Sequence, residues 1–255
     1  MIAWREHNIH TSDDNGDSND DHDEEKAFVF NMFADESDKI LNYEFKSKTS
    51  AEDITITLTG REGMCTSTGL AVWGGSETLC DYLLEERDYG CPTNIFKRGQ
   101  SRVLELGAGL GLVGLFVAQA FEPAEIIMSD GDVDVLERLQ KNIEQNTISN
   151  ETAVSCAQLV WGQNLDSFEE QHGKFDVIIA SECMYMKPSL QSIWETVDHL
   201  LAKTDGVFLY VHQASSQVRS EKVLEVASSR GFVWSTPDSS PLVHLFQREP
   251  SLCDN

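Results

Sequence analysis

From residue 102 onward, apolar runs of strand length alternate strictly with segments of helical periodicity, and this alternation constrains the fold more than any other feature of the chain. Strands are expected at Arg102–Leu106, Glu125–Ser129, Ala153–Val160, Phe175–Ala180, Val207–Val211 and Leu242–Gln247. Between them, helical spacing covers Gly109–Phe121, Val133–Gln145, a segment opened by Pro188, and Ser216–Ser229. Leu136, Leu139 and Ile143 share one helical face, and Leu190, Ile193, Trp194, Val197, Leu200 and Leu201 follow helical spacing. Phe175–Ala180 is apolar almost without a break, as in a strand buried on both faces. Repeated units of this kind fold as an α/β, mainly parallel, doubly wound sheet with helices on both sides.

The first hundred residues read differently. Thr11 to Lys26 is acidic, low in complexity and without apolar periodicity, so residues 1–26 are expected to form a disordered leader. Phe28–Phe33, Tyr43–Phe45 and Ile54–Thr59 are β-branched and aromatic, giving a β-rich section over 27–75. Ser76 is expected to cap the helix SETLCDYLLEE and to open the larger domain, 76–255. The formal net charge is −24. So acidic a surface repels phosphate backbones, which disfavours nucleic acid as a partner and suits a basic one. There is no apolar run of membrane-spanning length and no secretory leader pattern. The six cysteines form no C-x-x-C pair, so they are expected to be reduced thiols without a metal, in a monomer of the cytoplasm or nucleus.

The stretch VLELGAGLGLVGL, Val103 to Leu115, can be spelled in two ways. Gly109 to Gly114 is G-x-G-x-x-G, a dinucleotide fingerprint; Glu105 to Gly111 is E-x-G-x-G-x-G, a pattern of S-adenosylmethionine (SAM) enzymes. Glu105 discriminates between them. A pyrophosphate asks for N–H donors and no nearby carboxylate, whereas SAM carries a sulfonium and an ammonium that a carboxylate favours. Asp130, at the end of the second strand, suits the ribose of either cofactor.

Four stretches, TGLAVWGG, VLELGAGLGLVGL, LVWGQ and FDVIIASECMY, occur in an order and spacing that resembles the family-16 group of seven-strand, class I SAM-dependent methyltransferases. That group mostly methylates lysines of specific non-histone proteins. The resemblance covers residues 65–212 well, the N-terminal strands loosely and the acidic leader not at all. It implies a seven-stranded Rossmann-like sheet. It also implies that Glu105, Gly107 and Gly109 line the methionine part of SAM, that Asp130 holds the ribose, that Trp161 lies beside the adenine, and that Trp73 closes over the cofactor.

Where the group usually carries D-x-x-Y, this chain has Glu182–Cys183–Met184–Tyr185. Glu182 and Tyr185 are the implied catalytic residues, with the carboxylate one methylene longer than usual. Glu182 is expected to position the substrate amine rather than to act as a strong base. The turn SDGD is similar to that of the calmodulin-lysine methyltransferase branch, whereas the charge balance favours an elongation factor or another basic protein. Other readings are an NAD-dependent dehydrogenase, a non-catalytic SAM-binding protein, or methylation of histidine, of a small molecule or of nucleic acid.

Overall fold

The computed structural model describes residues 37–49, 51–61, 67–89, 95–213 and 217–249. The expected leader, 1–26, and the expected strand Phe28–Phe33 lie outside them. Two strands, β1 (Lys39–Phe45) and β2 (Ile54–Gly60), pair antiparallel as a separate sheet. A 3-10 turn (Thr68–Leu70) then leads into α1 (Gly74–Tyr89). The main sheet is built from β3 (Arg102–Leu106), β4 (Glu125–Asp130), β5 (Ala153–Gln158), β6 (Val177–Ser181), β7 (Val207–Val211), β8 (Phe232–Ser235) and β9 (Val243–Arg248). Its helices are α2 (Leu112–Phe121), α3 (Val133–Gln145), α4 (Leu165–His172), α5 (Lys187–Leu200) and α6 (Ser220–Ser229).

The seven strands lie in the order β5-β4-β3-β6-β7-β9-β8, all parallel except β9, which runs antiparallel to both neighbours. From β3 the chain winds outward to β4 and β5, then returns to place β6 on the other side of β3. The connections therefore diverge between β3 and β6, and a crevice opens at the carboxyl ends of those strands.

The central parallel strands β3, β4, β6 and β7 are largely apolar on both faces because each face has its own helical layer. Val103, Met128, Ile179 and Leu209 point to one core with α1 and α2, while Leu104, Ile127, Ile178 and Phe208 point to the other with α4, α5 and α6. Trp194 anchors the second core, edge-on to Phe208 and Phe246 at 5.5 and 5.0 Å. In the first core α2 is apolar all round, which a helix tolerates only when covered on every side. The β1–β2 hairpin covers its outer face: Ile54, Ile56 and Leu58 are buried there, and Phe45 meets Phe116 edge-on at 4.9 Å.

Several boundaries move from their expected places. The helix expected from Gly109 begins at Leu112, because Gly109 and Gly111 take left-handed φ values of +54° and +89° and belong to the loop. Ser76 does not cap α1; the helix starts at Gly74, and the Ser76 hydroxyl instead lies 2.9 Å from that of Ser181. The strand expected to reach Val160 stops at Gln158, where the Leu159 N–H bonds back to Asp130 O. The strand expected from Phe175 begins at Val177, with Phe175 making an isolated bridge to Leu201. The helix expected from Ser216 begins at Ser220. Helix α4 and edge strand β8 have no counterpart among the expected elements; β8 is only four residues long and exposes three of them.

Candidate active site

The crevice beside β3 is a cleft of about 640 Å³, a size suited to a nucleoside cofactor. Its floor is formed by Gly107, Ala108 and Gly109, the first part of the loop Gly107–Gly111. At Gly107, φ is +63°, and a Cβ would stand 2.7 Å from Cys183 Sγ and 2.9 Å from the Trp161 ring. At Gly109 a Cβ would approach Gly69 O at 3.1 Å. Both positions therefore need glycine for conformation and for space.

Asp130 stands at the carboxyl end of β4 and accepts the Gly109 N–H at 3.2 Å and the Asp132 N–H at 3.1 Å. Burial raises its pKa against these hydrogen bonds. Asp132 caps α3 through the Asp134 N–H (2.9 Å) and accepts the Ser67 hydroxyl at 2.9 Å, tying the segment before α1 to the cleft. In that segment Trp73 is half exposed and donates its indole N–H to Thr68 O at 2.8 Å. Trp161 flanks the loop, its indole nitrogen buried without a hydrogen-bond partner among the described residues.

Glu182 follows β6 with a left-handed φ of +53°, a conformation costing about 1–3 kcal/mol for a residue with a side chain. Its Oε2 accepts the Gly75 N–H at 3.1 Å, in the first turn of α1. A Cβ at Gly75 would fall 2.5 Å from Glu182 Cγ, so that glycine makes room for the carboxylate arm. The next turn is held from behind by the Tyr210 hydroxyl, which accepts the Met184 N–H at 3.0 Å. Tyr185 reaches the cleft partly exposed.

Glu105 is the one candidate that does not line the cleft. Its side chain points to the α1–α2 face of the sheet, is 3% exposed, and faces the N–H of Gly114 in the first turn of α2. Burial pushes its pKa up to about 8, the Gly114 N–H opposing and the nearby Asp130 charge adding to the rise. The Glu105 side chain thus stands behind the loop rather than at the cleft wall, where the expectation had it facing the ligand. It also accounts for the third glycine of the dinucleotide-like spelling. A Cβ on Gly114 would lie 2.5 Å from Glu105 Oε2 and 2.3 Å from Met128 Sδ, so Gly114 admits the buried carboxyl and the close helix–sheet packing.

The carboxylates that do line the cleft are those of Asp130, Asp132 and Glu182. Among the described residues lining the cleft there is no lysine, arginine or histidine. A pyrophosphate would meet three carboxylates and no cation there, whereas a sulfonium and an ammonium meet complementary charge. The residues present fit SAM. Ser67, Gly69, Asp132, Ser181 and Gln213 also line the cleft and were not among the expected site residues. Of these only Asp132 had a readable signal, as an N-cap residue directly before a helical run.

A doubly wound sheet with an acid-lined cleft at its topological switch point defines a nucleoside-cofactor α/β protein whose cofactor is cationic. A family model described as lysine methyltransferase matches residues 52–229, and the chain belongs to that family. It is 34% identical over 137 residues to a calmodulin-lysine N-methyltransferase of Arabidopsis thaliana, covering 53% of this chain and 42% of that protein. It is 28% identical over 166 residues to the EEF1A lysine methyltransferase 3 of Mus musculus, covering 65% of this chain and 63% of that one. The chain thus matches under two thirds of the length of either relative. The fold is shared with a fibrillarin pre-rRNA processing protein of Methanococcus jannaschii, at a TM-score of 0.51 and 14% identity, over 82% of this chain and 97% of that one.

Proposed function

We propose that the protein transfers a methyl group from SAM to the ε-amine of a lysine in a specific protein substrate. The observation that carries this reading is the cleft itself, lined by three carboxylates and no cation, in a chain of the lysine methyltransferase family. SAM, when bound, supplies an activated methyl on a sulfonium. Trp73, Gly107, Gly109, Asp130 and Trp161 would hold it, Asp130 through the ribose hydroxyls and Trp161 beside the base, with Glu105 supporting the loop from behind.

The rest falls to the outer end of the cleft, where Glu182, Tyr185, Trp73 and Gln213 meet. A lysine ammonium has a pKa of about 10.4 and no lone pair, so it must lose a proton to water before it can accept a methyl. Glu182 has one oxygen on the Gly75 N–H and its other oxygen available to draw in and orient the ammonium. Trp73 and Tyr185 give that end apolar walls that disfavour the charged form of the amine. Holding the amine in line with the transferred group then supplies much of the acceleration. The relatives act on calmodulin and on EEF1A by name; the charge of this chain, −24, supports a basic substrate of the second kind.

The direct test is incubation of the purified protein with methyl-labelled SAM and a cell lysate. Discrete labelled bands, carrying methyl-lysine by mass spectrometry, are expected. Binding of SAM with no labelled protein would overturn the protein-substrate reading, and binding of NAD in place of SAM would overturn the cofactor.

A further inference from the structure

The outer edge of β2, the side turned away from β1, is not paired with another strand among the described residues. Side-chain amides cover it instead. Gln119 of α2 donates to Thr55 O at 3.3 Å; Asn146, just after α3, accepts the Thr57 N–H at 2.9 Å and donates to Thr57 O at 2.7 Å. Asn142 of α3 treats Thr59 in the same way, accepting its N–H at 2.9 Å and donating to its carbonyl at 3.3 Å.

Asn142 differs from the others in one respect. Its amide nitrogen also donates to Leu110 O at 3.0 Å, at the crest of the glycine loop between Gly109 and Gly111. Its oxygen further accepts from Gln145 Nε2 at 2.9 Å, so two donors and two acceptor sites are all engaged, in a side chain with no exposure to solvent. The same junction is packed from the strand side: a Cβ on Gly60 would lie 2.2 Å from Leu110 Cδ1. A left-handed loop held on one side only by Asp130 would be free to tilt its peptide planes. Asn142 fixes it on the other side and joins it to the hairpin.

We propose that Asn142 is a positioning residue for the cofactor: its carboxamide sets the Leu110–Gly111 peptide, whose N–H donates to Ala108 O at 2.8 Å and so aligns the Ala108–Gly109 peptide at the floor of the cleft, and makes the β1–β2 hairpin part of the cofactor site. The proposal rests on the reading of the cleft as the SAM site. By linkage, a hairpin that holds the loop must itself be held more firmly when the loop is occupied.

The test compares Asn142→Ala with Asn146→Ala in the full chain, because both residues clasp β2 and only Asn142 reaches the loop. Both variants are expected to lose thermal stability, while only Asn142→Ala weakens SAM binding, by about tenfold for a lost buried hydrogen bond. Asn146→Ala should bind SAM within about twofold of wild type. Equal SAM affinity in Asn142→Ala and wild type, or equal weakening in both variants, would overturn the assignment of Asn142. Hydrogen exchange on the wild-type protein serves even if Asn142→Ala does not fold. Added SAM is expected to slow exchange of the Thr59 N–H, and an unchanged rate with SAM bound counts against the coupling. Absence of SAM binding by the wild type would instead overturn the cofactor reading, and this inference with it.

Discussion

Two glutamates show how burial and reach decide what a carboxylate does. Burial raises the pKa of Glu105 because its site admits little water, and the raised pKa carries a linkage. The folded state holds the proton up to about pH 8, whereas the unfolded chain releases it near its ordinary value of 4.5. Folding therefore loses stability as pH rises between these values, and no further above the upper one. Glu105→Gln removes that slope, so the wild type should lose thermal stability relative to the variant from pH 5 to pH 8, as followed by circular dichroism. Parallel pH profiles would refute the buried-acid description. Glu182 lies in the cleft, where it caps α1, and the proposed function gives it a second task at the substrate end. Glu182→Gln keeps an acceptor for the Gly75 N–H but loses the charge. It is expected to keep its melting temperature and SAM affinity while kcat/KM falls more than about tenfold, the order of a lost charge-assisted contact. Glu182→Ala should also lose about 1 kcal/mol of stability with the cap. Transfer at the wild-type rate by Glu182→Gln would remove Glu182 from the substrate site.

At the scale of elements, the hairpin and α2 depend on one another. Helix α2 has no polar face, so without the β1–β2 hairpin it would present apolar surface to water. The hairpin in turn has no independent core and buries Phe45, Ile54, Ile56 and Leu58 only against this part of the molecule. Phe116 stands at the junction and is fully buried. Phe116→Ala should cost about 3–5 kcal/mol in urea unfolding, by transfer and cavity terms together. A loss below about 1 kcal/mol would mean that the hairpin does not cover the helix in solution.

For the whole molecule, the excess of 43 acidic over 19 basic side chains sets a long-range field that the cleft focuses. With a basic protein substrate, kcat/KM should fall as salt is raised from low to physiological ionic strength, the change lying in KM and the association rate. An acidic substrate such as calmodulin should show the opposite trend. Initial rates against ionic strength, with each class of substrate, separate the two.

Much of this protein was determined locally. The alternation after residue 102 specifies a doubly wound sheet because a strand apolar on both faces needs helices on both faces, and Val133–Gln145 and Val207–Val211 fall where periodicity puts them. The positions of Gly107, Gly109 and Asp130 at the cleft follow from strand ends and turn chemistry, which are local too. Tertiary structure decided what depends on neighbours distant in sequence. It turned Glu105 behind the loop, gave Glu182 a helix to cap 107 residues away, and set Asn142 between a strand and a loop. Such roles come from which groups are brought together and how much water is excluded around them, and neither quantity exists until the chain has packed.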